Sequence, residues 1–541
     1  MDFITEQISR LRLLYDAFIE RAGIDPDLVT AMLGYDSHQP LLFNTGLFLV
    51  LFAIFMVIYR MLRPWRPVRM IFTILFSVYF YYKTSGLCCL LLLGVALSDY
   101  LLGLSLMWAR GLSEYKSLVM KRLIVTVNVL VNVGLLCYFK YFGLLLDTLS
   151  KILTEPFDPI ALLLPAGISF FTFRSISYIV DIYRGQLDAT RSLLDYLFYL
   201  TFFPPLLAGP VVRAKDMLPQ IKSNPVATRD MTSEGTWLII VGIIKKMVIA
   251  DFISGNFVDR VFDNPTLYSG FENLMATLGF TVQLYCDFSG YSDMAIGIAL
   301  LMGYRFRENF NAPFKASNPT EFWHRWHISL STWLRDYVYI PLGGNRCSKP
   351  RAYFNQAATM VIGGFWHGAS WMYVIWGAAH GALLVVHKMY RSATAALMAP
   401  AEVVVTEGGE LSMQAPAPRS SRVIPATMRC VNMVTTFLIV AFIFMLFRAH
   451  TLEDVATMWH QIIHDFHLSV APEFVASYSG IVIAITAAYL LHILPSAVGQ
   501  GVKRFFCNRT IVFQALLLAL TLYAAIQVRS SDIVPFIYLQ Y

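Results

Sequence analysis

The sequence predicts an all-α, polytopic membrane protein, on three observations. Hydrophobic residues make up 57% of the 541 positions and charged residues only 14%, whereas soluble domains carry about 45–50% apolar and about 25% charged residues. Mean hydropathy is +0.57. Apolar windows near the ~20 residues needed to cross a bilayer recur along the chain. They cover roughly 41–59, 70–84, 87–108, 123–146, 160–182, 194–212, 236–254, 273–302, 355–390, 429–448, 474–494 and 511–528. Window 355–390 is long enough for two elements, and the shorter or Pro-interrupted windows suit re-entrant segments. About eleven to thirteen membrane segments are expected. This composition excludes a soluble globular enzyme, a disordered chain and a collagen-like fibre. The net charge of +7 then reads as basic cytoplasmic loops rather than as a nucleic-acid surface.

Each region has its own signal. Residues 1–40 are polar and charged, unlike a cleaved leader. Within them Ile4, Ile8, Leu11, Tyr15 and Phe18 recur at helical steps, which predicts an amphipathic, acidic N-terminal helix. Arg60, Arg63, Arg66 and Arg69 crowd one short connection; Arg110, Lys116, Lys121 and Arg122 crowd another. Basic short loops face the cytoplasm, which leaves the acidic N-terminus outside. A core over 41–390 is followed by a Pro- and Gly-bearing stretch, 391–427, with Pro400, Gly408, Gly409, Pro416, Pro418 and Pro425. It reads as a flexible loop before C-terminal membrane helices over 428–541. Seven cysteines occur without a CxxC pair. They support neither a disulfide framework nor a metal site, and read as small buried hydrophobes.

Polar residues inside apolar surroundings carry the functional signal, because a charge at mid-bilayer costs about 2.5–3.5 kcal/mol on insertion scales. Four islands stand out. The densest runs from Glu321 to Arg346 and holds Trp326, His327, Ser331, Arg335, Asp336 and Asn345. In one helix, His327, Ser331 and Arg335 would share a side. The island suits a partly buried element lining a cavity, or alternatively an interfacial belt of aromatics and snorkelling arginines. The second, Gly363 to Gly381, places His367 beside Gly368 in an apolar run. Neutral imidazole is the titratable group least costly to bury, and its ordinary pKa of about 6.5 suits proton transfer. A structural hydrogen-bonding role is the alternative. In one continuous helix His380 would lie about 220° away from His367. The third island, Tyr285 to Asp293, contains Asp287 and Tyr291. It reads either as a broken helix with carboxylates paired to arginines of the first island, or as a substrate contact. The fourth, Lys245, Lys246 and Asp251, reads as a cytoplasmic boundary.

Together these segments resemble the membrane-bound O-acyltransferase superfamily, and most of all its bacterial polysaccharide branch, typified by the membrane protein of alginate O-acetylation. The resemblance rests on Phe203-Pro204, Ala208-Gly209-Pro210 and Arg213; Cys286 to Asp293; Trp323 to Arg346; Phe365 to Gly368 through His380-Gly381; and Pro535 to Tyr538. It covers roughly 41–541 and is strongest from 160 to 390. Trp326-His-Ile-Ser-Leu-Ser331, Leu334-Arg-Asp-Tyr337 and Pro341-Leu-Gly-Gly-Asn345 are its most specific strings. His324 departs from it, standing where many relatives have Arg. The N-terminal extension and the 391–427 loop exceed the family core.

The resemblance implies helices around a central tunnel, with the acyl donor entering from the cytoplasmic side. It assigns the catalytic base to His367 and a second functional histidine to His327. Asn345, Arg335, Asp336, Asp287, Tyr291 and Trp326 are the expected substrate contacts. No metal or resident cofactor is implied; acetyl-CoA is the expected donor and a polysaccharide the acceptor. A periplasmic esterase-like partner and an inner-membrane location belong to the same expectation, with residues 1–38 and 391–427 as docking candidates. No GxSxG elbow or Ser-His-Asp string is present, so direct transfer is expected rather than a serine acyl-enzyme. Two alternatives stand beside this reading: D-alanyl transfer to teichoic acid from a carrier protein, and a polysaccharide transporter. Paired hydropathy repeats, common in transporters, are not evident.

Overall fold

The computed structural model describes residues 32–37, 39–153, 163–397, 403–405, 411–413 and 426–528. The amphipathic pattern of residues 4–18 and the Pro535–Tyr538 string lie outside them.

The architecture is a bundle of α-helices, with one two-stranded ladder pairing Val403–Val405 with Leu411–Met413. Among the described residues four helices are long and apolar enough to cross a membrane: Cys88–Ala109, Glu114–Leu153, Thr427–Arg448 and Ile511–Val528. A fifth candidate, Leu468–Ser477 with Ser479–Ile493, is bent by 99°. Several other expected segments are helices of a different kind. Ile168–Tyr183 and Gly270–Leu301 bury nearly all their side chains, serines, threonines and carboxylates included. Protein rather than lipid covers most of their side chains. Window 194–212 is only half helical. Its helix ends at Thr201, and Phe203 to Pro210 run as irregular backbone. Phe203 is buried against Phe55, Phe76 and Phe80.

The helix Gly270–Leu301 is the centre of the bundle. Ser269 and Glu272 close a capping box at its start. Against it packs Arg229–Ile243 through paired glycines seven residues apart. A Cβ on Gly242 would stand 2.6 Å from the Gly290 carbonyl, and one on Gly235 2.7 Å from that of Gly297. Only glycine permits this backbone approach. The third island is therefore not a broken helix, as its polar residues suggested, but the middle of an unbroken one. Its carboxylates pair with the fourth island, not with arginines of the first. Lys246 meets Asp287 at 2.5 Å and Asp251 at 2.7 Å, and Lys245 meets Asp293 at 2.7 Å. Lys246 is thus a buried ion-pair partner. Two charges from different segments neutralise one another where neither could stand alone.

Asp99 makes a second buried polar centre. It accepts hydrogen bonds from Asn128 (2.8 Å), Ser175 (2.7 Å) and Tyr196 (2.8 Å), tying four segments together. Asp99→Ala is expected to orphan these donors at about 1–3 kcal/mol for a buried group. A fall in the unfolding midpoint of the detergent-purified protein measures it; an unchanged midpoint refutes the network's role.

Both basic connections lie at the same end of the bundle. Arg66 pairs with Asp195, in the first turn of the helix Leu193–Thr201, and Arg110 with Asp188 in the loop just before it, each at 2.7 Å, so one short segment touches both. The expected loop at 391 begins later, since the helix Trp371–Leu397 continues to Leu397. Between Arg391 and Pro400 no Pro or Gly stands to end it.

Candidate active site

Window 355–390 is a helical hairpin. Lys349–His367 ends at its histidine, Gly368 is extended, and Trp371–Leu397 returns. The two arms meet at glycines, since a Cβ on Gly364 would be 2.3 Å from the Tyr373 carbonyl and one on Gly377 2.5 Å from that of Met360. The turn overrides the single-helix arithmetic for His380. The His367 and His380 rings pack against the same Trp376 ring, at 5.0 and 4.7 Å. Trp366 lies between His367 (5.0 Å) and His327 (6.0 Å). The three buried imidazoles are therefore interleaved with two tryptophans.

The end of the Lys349–His367 helix is held from outside. The π-helical turn Cys137–Tyr141 donates Lys140 Nζ to the carbonyls of Trp366 (2.8 Å) and His367 (3.1 Å), and Tyr141 OH to that of Phe365 (2.9 Å). A cation satisfying the last carbonyls also complements the helix dipole. Sequence reasoning passed over Lys140, whose only signal was one lysine in the apolar run 123–146.

His327 does not sit mid-helix, as its spacing to Ser331 and Arg335 suggested. It precedes the helix Ile328–Leu334 with φ +42°, in the left-handed region. Such backbone in a bulky residue persists only where its surroundings hold it. Asn309 does the holding, accepting from Ser329 N (3.2 Å) and Ser329 Oγ (2.8 Å), with its Oδ1 3.3 Å from His327 Nδ1. The Asn309 carbonyl takes Ile328 N at 2.9 Å, and its Nδ2 donates to Ser292 at 3.2 Å. Asn309 too escaped the sequence reading; a lone asparagine in a loop has no local signature. His327 Nε2 is buried with no hydrogen-bond partner among the described residues, as are both ring nitrogens of His380.

Two cavities approach this cluster. One of about 680 Å³ is lined by Ser331, Arg335, Asn345, Lys388, Arg391 and Trp323, among others, with no carboxylate in its wall. Asn345 Oδ1 accepts from Tyr339 OH and Lys388 Nζ, each at 2.7 Å. The other, about 230 Å³, is lined by Lys140, Ser169, Trp366, Thr84 and Tyr35. The first opens beside the basic connections, since Asp336 takes Arg184 on its carbonyl. Neither of these two cavities is lined by His367 or His327. Each stops at a tryptophan, Trp323 or Trp366, packed against the histidines.

The other expected contacts divide. Arg335 and Asn345 face the larger cavity. Asp336 is a clamp at its edge, bonded to Arg213 (2.6 Å) and Arg335 (2.7 Å). Burial pushes its carboxyl up, but those arginines outweigh it and hold it below the ordinary carboxylate range. Asp287 is paired with Lys246. Tyr291 stacks on Phe43 at 4.9 Å. Trp326 is buried among Phe310, Phe322 and Phe444. None of these last three lines either cavity. Among the described residues no three His, Cys, Asp or Glu side chains are grouped to hold a metal ion.

The profile of the MBOAT, membrane-bound O-acyltransferase family matches residues 74–402, which contain His327, His367, His380, Asn309, Arg335 and Asn345. The chain belongs to the membrane-bound O-acyltransferase family. It is similar to the probable alginate O-acetylase AlgI of Pseudomonas aeruginosa, 42% identical over 355 residues, 64% of this chain and 66% of that protein. The Azotobacter vinelandii protein of the same name is 48% identical over 272 residues, 49% of this chain and 54% of the relative. The peptidoglycan O-acetyltransferase of Helicobacter pylori is 36% identical over 384 residues, 65% and 72% of the two chains. The chain thus spans between about half and two thirds of the length of the first two relatives.

Proposed function

We propose that this protein is a membrane O-acetyltransferase. In this reading it takes acetyl from a cytoplasmic thioester, acetyl-CoA, and passes it outward for O-acetylation of an alginate-like surface polysaccharide. The observation that carries the reading is the histidine–tryptophan cluster between two opposed cavities, within a chain of the MBOAT family. The larger cavity, with Arg335, Lys388 and Arg391 and no acid, suits an anionic donor. The smaller one, with Ser169, Thr84 and Tyr35, suits a hydroxyl-rich acceptor or the partner that relays to it.

His367 acts as base. It removes the proton of the attacking hydroxyl as the new C–O bond forms at the thioester carbonyl. The C–S bond then breaks, and the proton leaves with the thiolate. A positioned base contributes about 10²–10⁴-fold. His327, its ring held by Asn309 at Nδ1, orients the donor across from His367. Arg335 and Asn345 position the donor. Substrate entry requires Trp366 and Trp323 to swing aside, joining the cavities at the imidazoles. The protein works in the bacterial inner membrane with a periplasmic esterase-like partner that completes transfer to the polymer.

The test supplies isotope-labelled acetyl thioester to membranes with and without the chain and follows label into surface glycan. Label in glycan O-acetyl esters, dependent on the chain, is expected. D-alanyl esters instead, or solute uptake with no ester formed, would overturn the reading.

A further inference from the structure

A third cavity, about 570 Å³, lies away from the histidine cluster and shares no lining residue with the other two. Its wall carries Arg60, Arg63, Arg69, Arg229 and Arg509 and no carboxylate. Among the described residues none of these arginines makes an ion pair. Arg69 is spent on the Asn224 side chain and the Tyr59 ring, and Arg509 lies over Phe505. Five positive charges around one cavity repel each other unless an anion sits among them.

The position of the cavity says which anion. It is built where helices end: Gly46–Met61 and Gly270–Leu301 finish there, and Arg229–Ile243 and Ile511–Val528 begin there. It is therefore level with the bilayer surface at the basic end of the bundle. Two of those helices present apolar side chains outward beside it. Val50, Ile54 and Val57 are exposed on one, and Val512, Leu516 and Leu520 on the other. A phosphate in the cavity would have acyl chains running down that apolar face. Basic pockets between membrane helices bind anionic head groups in this way.

We propose that this cavity is a binding site for an anionic phospholipid, its phosphate held by Arg60, Arg63 and Arg229 and its tails laid against Gly46–Met61 and Ile511–Val528. The site is independent of the acyl-transfer reading. It anchors the register of helices whose other ends flank the core.

Native mass spectrometry of the full chain in detergent tests it, with phosphatidylglycerol and phosphatidylethanolamine as probes. Phosphatidylglycerol is expected to stay bound where phosphatidylethanolamine is lost, and neither inorganic phosphate nor coenzyme A should displace it. With about 1 kcal/mol per arginine near a head group, the variant Arg60→Gln/Arg63→Gln/Arg229→Gln should bind about a hundredfold more weakly. The Arg→Lys variant at the same positions should retain preference for the acidic lipid. Equal retention of both lipids by the wild type overturns the proposal, as does undiminished binding in the glutamine variant. Displacement by inorganic phosphate or coenzyme A identifies a soluble phosphate ligand instead and equally rejects a lipid. The wild-type comparison decides even if the triple variant does not fold.

Discussion

His367→Ala is expected to abolish acyl transfer while the protein still inserts in the membrane. Loss of a positioned base predicts a fall of about 10²–10⁴-fold in label reaching the glycan. The ring packs between Trp366, Trp376 and Phe447 at 5.0–5.3 Å, so truncation also leaves a void. His367→Gln controls for it by filling the space without a base at neutral pH. It should be as inactive as the alanine variant yet closer to wild type in unfolding midpoint. His380→Gln discriminates between the two imidazoles on Trp376, and it should keep most activity. Wild-type acetylation by either His367 variant, at equal membrane abundance, rejects the assignment.

The second large effect is at His327, where backbone strain and chemistry separate. Its φ of +42° suits glycine better than any other residue. His327→Gly should therefore retain a higher unfolding midpoint than His327→Ala, by about 1–2 kcal/mol of relieved left-handed backbone. Both should lose about 10²-fold in transfer, the order of cost of misplacing the reacting groups. If the glycine variant is active, the position serves the turn and not the reaction. Asn309→Ala belongs to the same experiment. It leaves the backbone of 327 without its side-chain support and should lower turnover with the imidazole still present.

Much of this was legible beforehand. Hydropathy announced a helical membrane protein, because lipid demands apolar surfaces whoever the neighbours are. The Trp326–Ser331 and Phe365–Gly368 strings marked the family and both histidines. The polar islands were real islands. Their partners were misread, since Asp287 and Asp293 chose lysines 245 and 246 over arginines. Charge pairing obeys distance in space, and four islands in sequence permit several pairings at equal cost. Asp287, Tyr291 and Trp326 were chosen as substrate contacts by their motif, yet each spends its side chain on packing or an ion pair.

The sequence by itself determined the class of the protein, its α-helical membrane character, the family and the two histidines, since these follow from residue type and short-range spacing. Only the tertiary structure decided that His380 joins His367 across a hairpin, that Lys140 caps the end of the helix bearing His367, and that Asn309 props His327. It alone placed a tryptophan between each cavity and the imidazoles, and five arginines around a cavity of their own. Those facts depend on segments up to hundreds of residues apart coming together, as Lys140 meets the His367 carbonyl and as Arg60 and Arg509 line one cavity. Such contacts are set by how helices pack, and no local pattern of amino acids encodes them.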